Sequence, residues 1–180
     1  MAKLVISEFL SLDGVMDEPS WTAPYWNDDI AAFKAAEMQA ARALLQGRVT
    51  YEGMAAAWPA RAGDPGADLM NSLPKYVVST TLTDATWNNS TIIRDNVVEE
   101  IRAVKERYDG DVLVYGSGGL AQTLLDAGLV DGLNLLVYPL TLGSGKRFFR
   151  DGLGSVKLAL REARPIGRGV VLLQYGPADA

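Results

Sequence analysis

Twice in this chain an apolar run ends in glycine and passes straight into a helical pattern. Ala43-Leu44-Leu45-Gln46-Gly47 leads through Arg48 and Val49 into a helix from Thr50. Val112-Leu113-Val114-Tyr115 leads through Gly116-Ser117-Gly118-Gly119 into a helix from Leu120. The second run is apolar toward both faces, as a central strand of a covered sheet is. Glycine loses much conformational freedom on folding. Three glycines in four residues at one junction therefore mark a tight turn, or a close approach of something to the backbone.

The remaining segments extend this grammar. Residues 3–10 read as a strand closed by the turn Asp13-Gly14, and 17–27 as a loop carrying Trp21, Pro24, Tyr25 and Trp26. A helix begins at Asp28, with Ile30, Phe33, Glu37 and Ala40 near helical spacing. Thr50 reads as the cap of the next helix, and 59–68 as a loop by composition. Strands follow at 75–79 and 91–94. Asn96 with Glu99 resembles a capping box ahead of the stripe Val97, Ile101, Val104 and Tyr108. The helix from Leu120 stops at Gly128, a strand spans 133–138, and 156–161 with 170–175 form a terminal antiparallel pair around Gly167-Arg168-Gly169. Alternation early and strands late predict an α/β fold, a mixed sheet of about eight strands flanked by about four helices. The length predicts one domain over residues 1–176, with 177–180 a flexible tail.

The chain has no histidine and no cysteine. That excludes a Ser-His-Asp triad, a histidine base, a thiol nucleophile and a disulfide, and no metal site is expected. Chemistry is left to carboxylates, hydroxyls, Lys, Arg, backbone groups or a bound cofactor. A net charge of −5 argues against a general nucleic-acid binder. The first apolar stretch ends after Leu-Val-Ile, and no run approaches the roughly 18 apolar residues of a membrane span. The expectation is a cytoplasmic protein that binds neither membrane nor nucleic acid.

Each glycine junction leaves helix N-terminal amides without internal partners at a strand end, where an anion can sit. One exposed helix end contributes only about 0.3–1 kcal/mol to such binding. Arg48 at the first junction adds charge and a bidentate fork, although a lone arginine is equally a solvated surface residue. Ser79-Thr80-Thr81 ends the next strand with three hydroxyls. The named phosphate motifs fail. Gly116-x-Gly118-x-x-Ala121 lacks the following acidic strand end, and before Gly145-Lys146 the first glycine is Leu140 and the hydroxyl position is Arg147.

Taken together, the segments "SEFLSLDGVM", "DIAAFK", "LLQGRVTYEGM", "KYVVSTTL" and "VLVYGSGGLAQTLLDAGLVDGLNLLVYPLTLGSGKRFF" resemble the dihydrofolate reductase-like superfamily. Within it they are closest to the branch of the RibD C-terminal domain, the reductase type of riboflavin biosynthesis. The resemblance implies a dihydrofolate reductase-like three-layer fold with NADP(H) across the carboxyl ends of central strands. By the match, Gly47, Arg48, Val49 and Thr50 line the phosphate site, and Ser79, Thr80 and Thr81 lie near the 2′-phosphate. Tyr115, Gly116, Ser117, Gly118, Gly119 and Leu120 face the pyrophosphate and nicotinamide. The family also places a cis peptide at the matching glycine pair, here Gly116-Ser117.

In the resemblance a carboxylic acid on the first helix supplies the proton, which puts it at Asp29, walled by Trp26, Ile30 and Phe33. A helix start carries acids such as Asp28 and Asp29 for capping alone. Asp13, in the Ser-x-Asp-Gly turn, is the second candidate, and a plain turn residue otherwise. Trp26, Phe33, Met54 and Trp58 could wall a flat heterocycle, or simply pack a core. Pro74 stands where dihydrofolate reductases carry a folate-gripping arginine, leaving Lys75 as a substitute point charge. The expected function is an NADPH-dependent reductase of a small heterocycle, pterin-like or ribosylaminopyrimidine-like. The alternatives are an inactive nucleotide- or metabolite-binding module of the same fold, and a structural self-associating domain. A homodimer is the expected assembly, with Leu133–Tyr138 pairing or packing across its two-fold axis.

Overall fold

The computed structural model describes residues 1–178. Its centre is one eight-stranded sheet in the order β4-β3-β2-β5-β1-β6-β8-β7. In chain order the elements are β1 (Leu4–Ser11), α1 (Asp28–Ala40), β2 (Ala41–Gly47), α2 (Arg48–Ala57), α3 (Pro65–Ser72), β3 (Lys75–Val78), β4 (Ser90–Ile93), α4 (Val97–Arg107), β5 (Asp111–Tyr115), α5 (Gly118–Asp126), β6 (Gly132–Tyr138), β7 (Leu158–Pro165) and β8 (Val171–Pro177). Pairing is parallel from β4 through β6 and antiparallel for β6–β8 and β8–β7. The expected mixed α/β architecture is thus observed. Among the described residues no helix is long and apolar enough to cross a membrane.

The alternation of β1 builds two of the three layers. Leu4, Ile6 and Leu10 face a core shared with Ile101 and Val104 of α4 and Ala121 and Leu124 of α5. Val5 turns the other way, toward Tyr51 of α2 and Met70 of α3. A third cluster joins Ile30 of α1 to Tyr138, Ile166 and Leu172, with Phe9, Trp21, Tyr25 and Phe33 packed against it. β2 and β5 run between covered faces and are buried nearly throughout, so their carboxyl ends emerge together at one edge.

Several local expectations are corrected. The segment 59–68 contains a 3₁₀ turn, Pro59–Arg61, and the start of α3. Its Asp-Pro-Gly composition reads as a loop, yet proline suits the first helical position, and Asp64 caps the amides of Gly66 and Ala67. Thr50 is not a cap: α2 starts two residues earlier, at Arg48 after Gly47. Asn96 has φ 48° and makes no side-chain cap, so the capping box is unmade. β6 has β1 on one side and β8 on the other, so it offers no open edge for pairing across a two-fold axis. β8 continues through Pro177, and residues 179–180 of the expected tail lie outside the described residues.

Lys75 is completely buried at the start of β3. Its ammonium donates to the carbonyls of Asn71, Leu73 and Asn88 at 2.8–2.9 Å and lies 4.2 Å from the Trp87 ring centroid. Burial pushes its pKa down to about 8. It joins the end of α3 to the loop before β4, so it does not replace a folate-gripping arginine. Lys75→Met strips three carbonyls of their donor. Its expected cost is about 1–3 kcal/mol in urea unfolding, where unchanged stability would deny the lysine this role.

Candidate active site

The two glycine junctions lie side by side and are laced together. Ser117 Oγ accepts from the Gly47 amide at 2.9 Å and donates to the Tyr115 carbonyl at 3.1 Å. The Ser117 amide donates to Thr50 Oγ1 at 2.9 Å. Gly116 has φ 58°, and a Cβ there would lie 2.9 Å from Thr50 Oγ1. Glycine is needed at 116 on both counts. Part of the bareness anticipated for a ligand is therefore used by one turn packing on the other. The Gly116–Ser117 peptide is not cis, since no cis bond occurs among the described residues. The turn is made instead by left-handed φ at both residues, 58° and 59°.

Beyond the lacing, the helix starts remain open. α1 is capped by Asn27, which accepts from the amides of Asp29 and Ile30, and α3 is capped by Asp64. α2 and α5 have no side-chain cap. Helical bonding in α5 begins with the Ala121 amide donating to the Ser117 carbonyl, which leaves the amides of Gly118, Gly119 and Leu120 at the helix mouth. Arg48, Val49 and Thr50 are the corresponding residues of α2. All six line a cleft of about 1110 Å³. Two uncapped N-termini converging on one cleft attract negative charge.

The cleft also brings in residues from four other directions. Phe9, Trp26, Met54 and Trp58 line it, as do Met16, Met38 and Lys146. Arg48 reaches along α2 to Glu52 at 2.9 Å, an exposed pair worth about 0–1 kcal/mol and easily exchanged for a better partner. Gly118 packs against Met16, whose sulfur would lie 2.7 Å from a Cβ there. Gly119 meets nothing closer than 3.7 Å.

Other anticipated residues fall outside the cleft lining. Asp29 is exposed on the first turn of α1. Phe33 packs into the cluster around Tyr138. Asp13 pins a turn: its carboxylate accepts from Ser11 Oγ and from the amides of Leu142 and Gly143. Those donors, Ser11 first, hold its pKa down at about 2. Ser79 follows β3, whose last residue Val78 pairs with Gly47, but its hydroxyl already accepts from the amides of Thr81 and Leu82. Thr80 and Thr81 are exposed beside it.

Of the acids that line the cleft, Asp17, Glu18 and Asp64 are exposed and Glu8 in β1 is buried. It is 5% exposed, and its Oε1 has no hydrogen-bond partner in the protein. Burial holds its carboxyl well above the ordinary 4.5, with Lys34 and Lys146 pulling the other way. Beside it Lys34 donates to Ser7 and Glu37 at 2.8 and 2.6 Å. Sequence reasoning passed over Glu8, Lys34 and Glu37. The available signals were an acid on the apolar face of a strand, between Ile6 and Leu10, and an acid within the apolar stripe of α1. The arrangement can hold an anion at the helix mouths and a proton at a buried carboxyl.

A family model described as the RibD C-terminal domain matches residues 2–172. The uncharacterized protein YyaP of Bacillus subtilis (strain 168) is 35% identical over 107 residues, which span 59% of this chain and 56% of that protein. Among solved structures, a putative riboflavin biosynthesis protein from Shewanella sp. PV-4 superposes with a TM-score of 0.80 at 20% identity, over 99% of this chain and 100% of that one. A dihydrofolate reductase from Enterococcus faecalis, complexed with NADP(H), gives 0.62 at 20% identity, over 98% and 97%. The chain belongs to the RibD C-terminal domain family and has the dihydrofolate reductase-like fold.

Proposed function

We propose that this protein is an NADPH-dependent reductase of a small flat heterocycle, pterin-like or ribosylaminopyrimidine-like. The observation that carries the reading is one cleft with two uncapped helix starts on one side and a buried, unpartnered carboxyl on the other. The family supports reductase chemistry, and the solved relative from Enterococcus faecalis is complexed with NADP(H).

The residues fit a dinucleotide. Gly118, Gly119 and Leu120, with Arg48, Val49 and Thr50, would hold its phosphates through backbone amides and one guanidinium. Arg48 can leave Glu52 for a 2′-phosphate at little cost, and Ser79–Thr81 follow β3, the strand that pairs with β2. When bound, a reduced nicotinamide supplies hydride. The chain's own part is to wall the ring with Phe9, Trp26, Met54 and Trp58 and to hold a proton at Glu8. A carboxyl whose pKa is raised by burial keeps that proton closer to neutral pH, as a general acid needs. The homodimer belongs to the same proposal. Edge strand β7 exposes Leu160, and light scattering tests the assembly.

Arg48→Ala is expected to weaken NADPH about tenfold more than NADH in fluorescence titrations, one charge-assisted contact being lost. Equal losses would remove Arg48 from the 2′-phosphate.

Glu8→Gln is expected to lower turnover about 10²–10⁴-fold while leaving NADPH affinity unchanged. It should also stabilise the fold. A carboxyl with a raised folded pKa takes up a proton on folding between its ordinary value and the raised one, so wild-type stability falls as pH rises through that window. The variant should therefore unfold at a higher temperature than wild type near pH 8, the gap closing toward pH 4.5. A constant gap would mean that the carboxyl is not held protonated.

A further inference from the structure

Four cations line the cleft, and three of them already face a carboxylate. Lys34 lies 2.6 Å from Glu37, Arg48 2.9 Å from Glu52 and Arg61 3.2 Å from Asp64. The fourth, Lys146, has no ion pair and no side-chain hydrogen bond among the described residues. Its Cε lies 3.8 Å from the place a Cβ of Gly118 would take, so the side chain ends beside the uncapped start of α5. Arg150 stands against the next residue of that helix, its Nη2 3.7 Å from the Cβ position of Gly119. It too forms no ion pair among the described residues, although Asp126 and Asp151 line the same small hollow.

The backbone that carries these two cations is fixed. Gly145 has φ 116°, and a Cβ there would lie 2.7 Å from Val15 Cγ1, which calls for glycine on both counts. The Lys146 carbonyl accepts from the Met16 amide at 2.9 Å, and the Phe148 amide donates to the Gly14 carbonyl at 3.0 Å. Phe148 is buried in the core between the two cations. Arg150 Nε donates to Gln122 Oε1 of α5, and among the described residues no protein acceptor takes its two terminal nitrogens. One segment after β6 thus sets two uncommitted cations along the first turn of α5.

We propose that Lys146 and Arg150 are the second arm of a phosphate grip: with the amides of Gly118, Gly119 and Leu120 they hold the diphosphate of the dinucleotide, while Arg48 answers its 2′-phosphate. This rests on the reductase reading for the identity of the ligand. Charge is the physical ground. A diphosphate brings negative charge to a protein of net charge −5, in a cleft lined by the exposed acids Asp17, Glu18 and Asp64. Helix amides alone answer it with partial charges. Two cations that hold no carboxylate give up no ion pair when the phosphates arrive, and each gains a charge-assisted contact. The diphosphate is common to NADPH and NADH, so this arm must act on both alike.

The test is fluorescence titration of the full chain with NADPH and with NADH. Lys146→Gln and Arg150→Gln are each expected to weaken both nucleotides by about tenfold, one charge-assisted contact apiece, and the double variant by more than either. The ratio of NADPH to NADH affinity should stay at its wild-type value, whereas Arg48→Ala changes it. Lys146→Arg/Arg150→Lys, which keeps both charges, should retain most of the affinity. Both side chains are exposed, so the cofactor-free unfolding temperature of every variant should stay near that of wild type. The proposal is overturned if the double glutamine variant binds both nucleotides as wild type does, if only NADPH weakens, or if the charge-keeping pair loses as much as the glutamine pair. A wild type that takes up neither nucleotide strikes the reductase reading instead. Calorimetry with inorganic pyrophosphate then judges the grip, which stands if the glutamine pair binds it more weakly than wild type and falls if it does not.

Discussion

The interlock of Ser117 with Gly47 and Thr50 is what the rest of the site depends on. Each of its hydrogen bonds contributes only about 0.5–1.5 kcal/mol. Their value is geometric. They tie the end of β2 to the end of β5, so two helices that start in separate parts of the chain open at the same place. Without the tie, each helix mouth would be a weak and ordinary anion site. With it, six first-turn residues share one wall. Thr50 is well suited to this work because its hydroxyl, in the first turn of α2, reaches across the gap to accept from the Ser117 amide.

Opposite that wall the chemistry is governed by burial. Glu8 and Lys34 both occupy positions where water would stabilise their charges and where the sheet excludes most of it. The protein treats the two differently. Lys34 is given a hydrogen-bonded counter-ion, whereas one oxygen of Glu8 is left without any protein partner. An unpartnered polar atom inside a well-packed protein costs stability. Retention of such a cost next to a large cleft is what functional groups show more often than structural ones. The contrast with Lys75 is instructive, for that buried cation has three carbonyls and an aromatic face and ties α3 to the sheet.

Much of the fold was legible in local pattern. Strand–glycine–helix junctions, apolar runs and the final hairpin come from backbone preference and from which side chains avoid water. Errors arose where composition and geometry part. Asp64-Pro65-Gly66 has loop composition but supplies a helix cap and a first turn. Asn96 and Glu99 have capping-box spacing, yet Asn96 takes a left-handed conformation and caps nothing. The acid shows the same division. Asp29 has the position that the family resemblance suggests, but it lies on the solvent side of α1, while Glu8 stands on the covered face of β1.

The amino-acid sequence by itself determined the α/β class, the paired glycine junctions and the exclusion of imidazole and thiol chemistry, because these follow from near-neighbour conformation and from which functional groups exist. Tertiary structure alone decided which carboxyl is buried at the cleft, which helix ends stay open and which lysine is paired beneath it. Those outcomes depend on partners distant along the chain, Ser117 for Gly47, Glu37 for Tyr115 and Asn134. Burial, the property that sets their chemistry, exists only once the layers have closed.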